Sequence, residues 1–492
     1  MIDCRAIELG DRDRATGPLE TQVAVPLSQN MPAKNSRARY PTPRLWLRCF
    51  KPFLSTLQRM PPSCRPALFY ETFYNIGSGA FVALFGLALA TLKSEVFTPG
   101  GTKEHLMFVA AMFGGSSLLS PLVGYCGKNV SMRLMVIVPN LVAAGILFAT
   151  CTLQNAGFFA AIIGVAFIIR VFPRVAEMNM FRVLYPATHR GTAVGWVKAV
   201  AAVSGLCVTV AATFWVMWRP ALYFVPYWAV GIALACSAFA YARIPVRQRL
   251  LFRSGEDRPP HRAFWSGARV FLADRRFVLY QIGFFFAGFA NHMAHAFVAE
   301  SLKVNALASD RAVFWIVAVI PALCMAGSAP LWGRLLDRMN PMSGRALFNS
   351  IQCVAYGFHC YGGLTQQAWP FLIGSIVHAV GMGGSTINWL TGSLYFADRE
   401  RVTLYNSIHV ALTGLRGLLA PLVGVLIYGG TVVLGPWAVP GLGLGPWLFG
   451  LSAALSLCGS VYMVWMTRWD QGSSEETRLE RGVSPGAQAI SS

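Results

Sequence analysis

Long uninterrupted runs of apolar residues restrict the fold of this chain more than any other feature. Stretches such as 110–125, 134–150 and 221–240 have no polar face that would contact water in a soluble protein. A helix of about 20 apolar residues spans the hydrocarbon core of a bilayer. Because 55% of the residues are hydrophobic and 13% are charged, the chain is predicted to be an all-α membrane protein.

Twelve such runs are separated by charged residues or by clusters of glycine and proline. We therefore predict twelve transmembrane helices, at approximately 66–92, 105–127, 133–155, 157–180, 192–217, 220–243, 277–302, 311–334, 346–364, 369–395, 403–430 and 440–467.

The positive charge of the chain is distributed unevenly. If the N-terminus is cytoplasmic, only five of the 41 lysine and arginine residues fall in outer loops: Lys93, Lys103, Arg219, Lys303 and Arg311. This asymmetry follows the positive-inside rule and predicts that both termini lie in the cytoplasm. The predicted location of the protein is the cytoplasmic (inner) membrane. The asymmetry also accounts for the formal net charge of +20 without a nucleic-acid partner.

The polar segments outside the runs divide the chain. We predict a cytoplasmic N-terminal tail over 1–65, a six-helix bundle over 66–243, a cytoplasmic linker over 244–276, a second bundle over 277–468 and a C-terminal tail over 469–492. Within the first tail, 44–60 is either a basic helix on the inner membrane surface or a plain linker. The eleven cysteines have no metal-binding spacing, so no metal site and no cofactor are predicted.

The chain also resembles itself at a nearly constant offset. Tyr70 and Tyr280 begin the first and seventh runs, and Gly124 and Gly333 each open a short charged turn that joins two runs. The segment YPATHR at 185–190 matches YFADRER at 395–401. Because these pairs share an offset of about 210 residues, the chain is predicted to be a duplication of two similarly oriented six-helix bundles.

Two six-span halves with a GxxxDR-type signature after the second span of each half resemble the major facilitator superfamily. The second copy of the signature is the better one, with Gly333, Asp337 and Arg338 in place and Arg345 a few residues beyond the basic position. The first copy is degraded: Gly124 is retained, Lys128 stands where the aspartate belongs, and Arg133 is at the basic end. The resemblance covers roughly 66–467.

The resemblance implies a gating role for these residues. A carboxylate in a tight loop can accept hydrogen bonds from the N-terminus of a helix in the other half and can pair with arginine. Asp337 is therefore expected to hold the cytoplasmic side closed in the outward-open state and to release it on inward opening. The alternative is that the charges only end spans 8 and 9 and orient them.

Polar residues inside the apolar runs are the candidates for the transport site, because a charge at bilayer depth costs about 2.5–3.5 kcal/mol on insertion scales. Glu71 and Asn75 share a face of span 1 with Ser78, and in span 4 Arg174 is expected to pair with Glu177. The resemblance places spans 1, 4, 7 and 10 around a central cavity. We expect that cavity to be lined by Glu71, Asn75, Arg170, Arg174, Asn291, His292, His295, Asn388 and Trp389; the alternative role for such residues is hydrogen bonding between helices.

Two further basic residues lie inside spans, Lys198 in span 5 and Arg416 in span 11. Arg416 has no acidic residue within one helical turn, so its partner must come from elsewhere. The excess of basic over acidic groups favours an anionic solute. Proton coupling is expected to use Glu71, His292 or His409, and facilitated diffusion without a coupling ion stays open.

The function predicted from these features is secondary active transport of a small solute by alternating access. The solute, the lipid bilayer and protons are the expected partners, and the protein is expected to be a monomer. The competing hypothesis is a non-transporting scaffold or sensor of the same fold. No enzymatic activity is expected, because the sequence lacks the GxxxxGK[ST], HExxH and GxSxG motifs.

Overall fold

The structure is a computed structural model that describes residues 51–93, 97, 103–126, 130–245, 269, 271–397, 401–429, 432–434 and 437–480. Residues 1–50 of the predicted N-terminal tail, most of the predicted linker and residues 481–492 of the predicted C-terminal tail lie outside the described residues. Within the described part, the chain is helical apart from short turns and one small hairpin.

The described residues of the N-terminal half form nine α-helices. A 3-10 turn over Ser116–Leu119 joins the third to the fourth, and the sixth and seventh meet at Arg170. The helices are α1 (Lys51–Arg59), α2 (Arg65–Lys93), α3 (Lys103–Gly115), α4 (Ser120–Cys126), α5 (Leu134–Phe148), α6 (Ala156–Ile169), α7 (Val171–Leu184), α8 (Ala187–Trp218) and α9 (Phe224–Ala242).

The C-terminal half repeats the pattern. A π-helical turn over Trp315–Val319 joins its third and fourth helices. A 3-10 turn over Ser393–Tyr395 follows its sixth helix. Its elements are α10 (Arg275–His295), α11 (Val298–Val304), α12 (Asp310–Phe314), α13 (Ile320–Leu336), α14 (Pro341–Thr365), α15 (Ala368–Gly392), α16 (Val402–Tyr428), β1 (Val432–Leu434), β2 (Trp437–Val439) and α17 (Trp447–Glu480).

Several helices begin at polar residues that cap their first free N–H groups. Asn155 accepts hydrogen bonds from Gly157 and Phe158 at the start of α6. Asp274 and Asn340 cap α10 and α14 in the same way. Since the first N–H groups of a helix have no partner within the helix, these caps fix where the spans enter the membrane.

Eleven helical segments of the described chain are long and apolar enough to cross a membrane. The helix α14 is not among them, although its 25 residues give it the length of a span. It buries Arg345, Asn349, Gln352 and His359 inside the protein, which lowers its apolar character. With α14 as the ninth span, the predicted fold class of twelve membrane helices is confirmed.

The predicted start of the twelfth span is wrong by seven residues, because α17 begins at Trp447 and not at 440. The segment before it contains Gly443 and Gly445, both with positive φ, and Pro446. Glycine adopts that backbone region readily, and proline suits a turn before a helix. The outer loop also forms a hairpin in which Val432 pairs with Val439 and Leu434 with Trp437.

The two halves contact each other through small residues. On α8, Gly191 lies against the backbone of Gly333 in α13, and Gly195 lies against Ala329. Gly114 of α3 approaches Gly417 of α16. Such residues let helix backbones approach closely. We call the end of the bundle at which α2 begins and α13 ends the inner end; the charge distribution predicts that it faces the cytoplasm.

Candidate functional site

A buried polar network lies inside the N-terminal half, where α2, α7 and α8 meet. Glu71 is fully buried, and its Oε2 accepts a hydrogen bond of 2.8 Å from the hydroxyl of Tyr185. Lys198 donates to Oδ1 of Asn75 at 3.1 Å and forms an ion pair of 2.8 Å with Glu177. The spacing of Glu71 and Asn75 on one face of α2 thus turns both side chains toward the same interior.

The expected pairing of Arg174 with Glu177 is wrong, because the carboxylate of Glu177 is bound by Lys198 of α8. Arg174 instead donates to Oγ of Ser117 at 2.5 Å, in the turn between α3 and α4. Residues one turn apart on a helix can pair, but here the neighbouring helix brings a cation closer to the carboxylate.

Arg170 lies in the middle of the fourth span, where α6 and α7 join. Pro173 has no N–H to donate to the carbonyl of Ile169, so the helix is interrupted at this point. The guanidinium of Arg170 donates to Asn140 of α5 and, at 3.1 Å, to Oγ of Ser78. It also lies 5.0 Å from the ring centroid of Phe81. Its described partners are therefore neutral groups.

The C-terminal half contains a second polar group, centred on Asn291 of α10. Oδ1 of Asn291 accepts a hydrogen bond of 3.0 Å from the hydroxyl of Tyr356 and lies 2.8 Å from Nε2 of His378. The rings of His295 and His378 are stacked with centroids 5.2 Å apart. His292 is half-buried on the same helix, one residue from Asn291. The structure thus brings the polar residues of spans 7 and 10 together.

Trp389 belongs to a third group, which connects α15 to α16. Its Nε1 donates to Oγ1 of Thr413 at 3.0 Å, and Arg416 donates to the same oxygen at 2.7 Å. His409 lies beside Trp389, with ring centroids 5.5 Å apart, and its Nδ1 is 3.0 Å from Oε1 of Gln281. Trp389, His409 and Arg416 are therefore neighbours.

Asn388 lies apart from these groups. Its side chain is buried and donates to the carbonyl of Pro341 at 3.0 Å, at the first turn of α14. The structure therefore places Asn388 between α14 and α15.

The residues of the second charged signature divide between two places. Asp337 lies at the inner end, where its Oδ1 accepts from the N–H of Gly191 at 2.6 Å. Its Oδ2 accepts from the N–H of Thr192 at 2.9 Å and from the Thr192 hydroxyl at 2.6 Å. Arg338 beside it is exposed, whereas Arg345 is buried inside the C-terminal half.

Asp337 thus holds the second turn of α8, which belongs to the other half of the chain. Burial raises the pKa of the Asp337 carboxyl above its ordinary value, and its hydrogen bonds with Thr192 and Gly191 oppose that rise. The close approach of Gly333 to Gly191 brings the two segments within reach of these bonds.

The first signature makes a different contact. Gly124 lies in α4, and Arg133 donates to the carbonyl of Ile244, just after the end of α9. The described partner of Arg133 therefore belongs to its own half.

Sequence reasoning missed a second set of hydrogen bonds between the halves near the inner end. Asn406 donates to Oδ1 of Asn179 at 2.6 Å, and Asn179 donates to Oγ1 of Thr403 at 3.0 Å. Arg182 donates to the carbonyl of Ala397 at 2.8 Å. The sequence signal for these bonds is an amide side chain inside an apolar run, at Asn179 and at Asn406.

A family model described as Major Facilitator Superfamily matches residues 72–421 of the chain. A double-tryptophan mutant of XylE has a similar structure, with a TM-score of 0.62 and 12% identity; the match covers 82% of this chain and 95% of that one. FucP in the outward conformation matches with a TM-score of 0.61 and 11% identity, over 81% of this chain and 98% of that one. No curated protein sequence matches the chain.

Proposed function

Because the chain belongs to the Major Facilitator Superfamily, we propose that this multi-pass membrane protein is a secondary transporter that moves a small solute by alternating access. The observation that carries the proposal is the contact of Asp337 with the second turn of α8. It joins the two six-helix halves through three hydrogen bonds, and each half holds its own polar group at bilayer depth. Midplane sites between such halves are where transporters of this kind bind solutes.

The contacts between the halves support an inner end that is closed. Asp337 binds Gly191 and Thr192 there, and Asn179 binds Thr403 and Asn406 nearby. For the inner end to open, all of these bonds must break together, and those groups must find water or new partners. In this proposal Asp337 and Gly333 form the gate, and Arg338 interacts with solvent or lipid head groups beside it.

The proposed solute carries an anionic group. Arg170 and Arg174 are one turn apart on the fourth span, and their described partners are amide and hydroxyl oxygens. Lys198 is neutralised by Glu177. Two uncompensated guanidinium groups at bilayer depth are costly unless a ligand or a wet cavity offsets them. FucP and XylE are described as proton symporters of fucose and xylose. The proposed negative charge of the solute therefore rests on the arginines of this chain.

Proton coupling is proposed at Glu71. Its carboxyl is fully buried, and one oxygen, Oε1, has no hydrogen-bond partner among the described residues. A carboxyl in such a place can exchange a proton when access changes from one side to the other. His292 and His409 are the alternative carriers, of which His292 is the more exposed.

We further propose that the protein is a monomer in the cytoplasmic membrane with both termini in the cytoplasm. The distribution of lysine and arginine supports this orientation.

Uptake by purified protein in proteoliposomes tests the proposal. Radiolabelled small carboxylates are offered with and without an inward proton gradient, and accumulation above that of protein-free vesicles is expected for at least one of them. The variant Arg170→Gln should abolish that uptake. The variant Lys303→Gln changes an exposed residue that pairs with Asp310 near the outer end, so it should transport normally. A folded wild-type protein that transports no solute of a broad library, charged or neutral, would support the scaffold hypothesis instead.

A further inference from the structure

Two buried arginines inside the C-terminal half share one aromatic ring. The guanidinium carbon of Arg345 lies 3.8 Å from the ring centroid of Phe284, and that of Arg416 lies 5.0 Å from the same centroid. Each arginine is only 3% exposed. They come from α14 and α16 and meet over a residue of α10, so the pairing is a product of the fold.

Neither guanidinium has an acidic partner in the described part of the chain. Arg345 donates to Oγ of Ser385 at 2.7 Å, and Arg416 donates to the carbonyl of Phe284 and to Oγ1 of Thr413. The ion pairs that the structure shows involve other residues. Arginine stays protonated in proteins, so two positive charges lie close together in the interior. A buried charge without a counter-charge is strongly destabilising.

The groups around the two arginines are also short of acceptors. Nε of Arg345, Nε of Arg416 and Nε2 of Gln281 are buried without a hydrogen-bond partner among the described residues. The hydroxyl of Tyr280, which can also donate, is likewise without a partner. Tyr280 and His409 both contact Phe284, with ring centroids 5.7 and 4.8 Å from it. We call these five residues and Phe284 the Phe284 cluster.

An excess of donors and two positive charges point to one kind of ligand. Water would accept some of these hydrogen bonds but would leave the charge uncompensated, and a cation would be repelled. We infer that the Phe284 cluster binds an anion between Arg345 and Arg416. This site lies in the C-terminal half and is separate from Arg170 and Arg174, so it does not depend on the proposed function.

The anion has two possible sources with the same chemistry: a small inorganic anion, or the carboxylate of a solute. Trp389 and Thr413 are both half-buried and lie beside Arg416, so they mark the side from which a ligand would approach.

The test uses the full-length protein in detergent and measures its Tm at constant ionic strength. Sodium HEPES, a bulky sulfonate salt, is replaced stepwise by sodium chloride, bromide, nitrate or acetate. A ligand that binds the folded state raises its stability in a saturable way. We expect such an upward shift for the wild type and its loss in Arg345→Met and Arg416→Met. The control Arg311→Met, at an exposed arginine of α12, should keep the shift.

The response to each salt identifies the source. A shift with the halides and nitrate indicates an inorganic anion, and a shift with acetate alone indicates the carboxylate of a solute. If the methionine variants do not fold, Gln281→Met serves instead, because it removes one donor without changing the charge. It should weaken anion binding and raise the half-saturating anion concentration several-fold. A wild-type Tm that is indifferent to all four salts, or variants that keep the full response, would overturn the inference.

Discussion

The contact between Asp337 and α8 predicts what happens when that carboxylate is removed. Asp337→Ala deletes three hydrogen bonds that join the halves at the inner end. Each intramolecular hydrogen bond contributes about 0.5–1.5 kcal/mol net, and the site is partly open to water, so the closed inner end should lose about 2–3 kcal/mol. Since about 1.4 kcal/mol is a factor of ten, the ratio of open to closed molecules should rise roughly 30- to 140-fold.

The assay is a distance measurement by double electron–electron resonance on two spin labels. Cysteines replace the exposed residues Thr188 and Arg338, on the two sides of the contact, in a background without the native cysteines. The wild type should give one short distance, and Asp337→Ala should shift most molecules to a longer one. The control Asp310→Ala removes an exposed aspartate near the outer end. An Asp337→Ala protein that is folded and keeps the wild-type distance distribution would refute the gating role.

The raised pKa of Asp337 predicts how the inner end responds to the charge of the side chain at this position. Burial disfavours the ionised carboxyl, so a neutral side chain in the same place should be tolerated better than no side chain. Asp337→Asn should therefore open the inner end less than Asp337→Ala does. For the same reason, lowering the pH through the raised pKa should favour the closed inner end, because the buried group then gains a proton and loses its desolvation penalty.

Three further predictions use other contacts. Lys198→Met should lower the free energy of unfolding by about 3–5 kcal/mol because it leaves Glu177 buried without its partner, and adding Glu177→Gln should restore much of the lost Tm. Gly333→Ala should open the inner end in the spin-label assay because the new Cβ would meet the Gly191 carbonyl, whereas Gly327→Ala, with open space around it, should have no effect. Glu71→Gln should abolish uptake driven by a proton gradient and leave solute exchange between the two sides of the vesicle intact; equal loss of both activities would contradict proton coupling at Glu71.

The fold was predictable because its signals are local. The length of each apolar run indicates one span, and the shared offset indicates the duplication. Both features can therefore be predicted without knowing how the helices pack. The span ends were less certain: the twelfth run continues through Pro440 and the glycines after it, and hydrophobicity alone does not mark the turn there. In the ninth span, hydrophobicity is instead too low for the length of the helix, because its polar side chains are buried inside the protein.

The interior contacts were only partly predictable, because they depend on how helices face one another. The spacing of Glu71 and Asn75 correctly indicates a shared face of α2, since that geometry belongs to a single helix. The partner of Glu177 and the surroundings of Asn388 depend on α8 and α14, which the spacing along one helix does not contain. The meeting of Arg345 and Arg416 over Phe284 likewise requires three helices to be placed.

Measuring both ends of the bundle in the same preparation tests alternating access most directly. A second spin-label pair at Gln154 and Leu307, exposed residues near the outer end of each half, is compared with the inner pair at Thr188 and Arg338. A transporter of the proposed kind should show distances that change in opposite directions when Asp337→Ala is introduced: the inner distance lengthens and the outer distance shortens. An outer distance that stays fixed while the inner end opens, or a protein in which neither distance changes, would contradict the account.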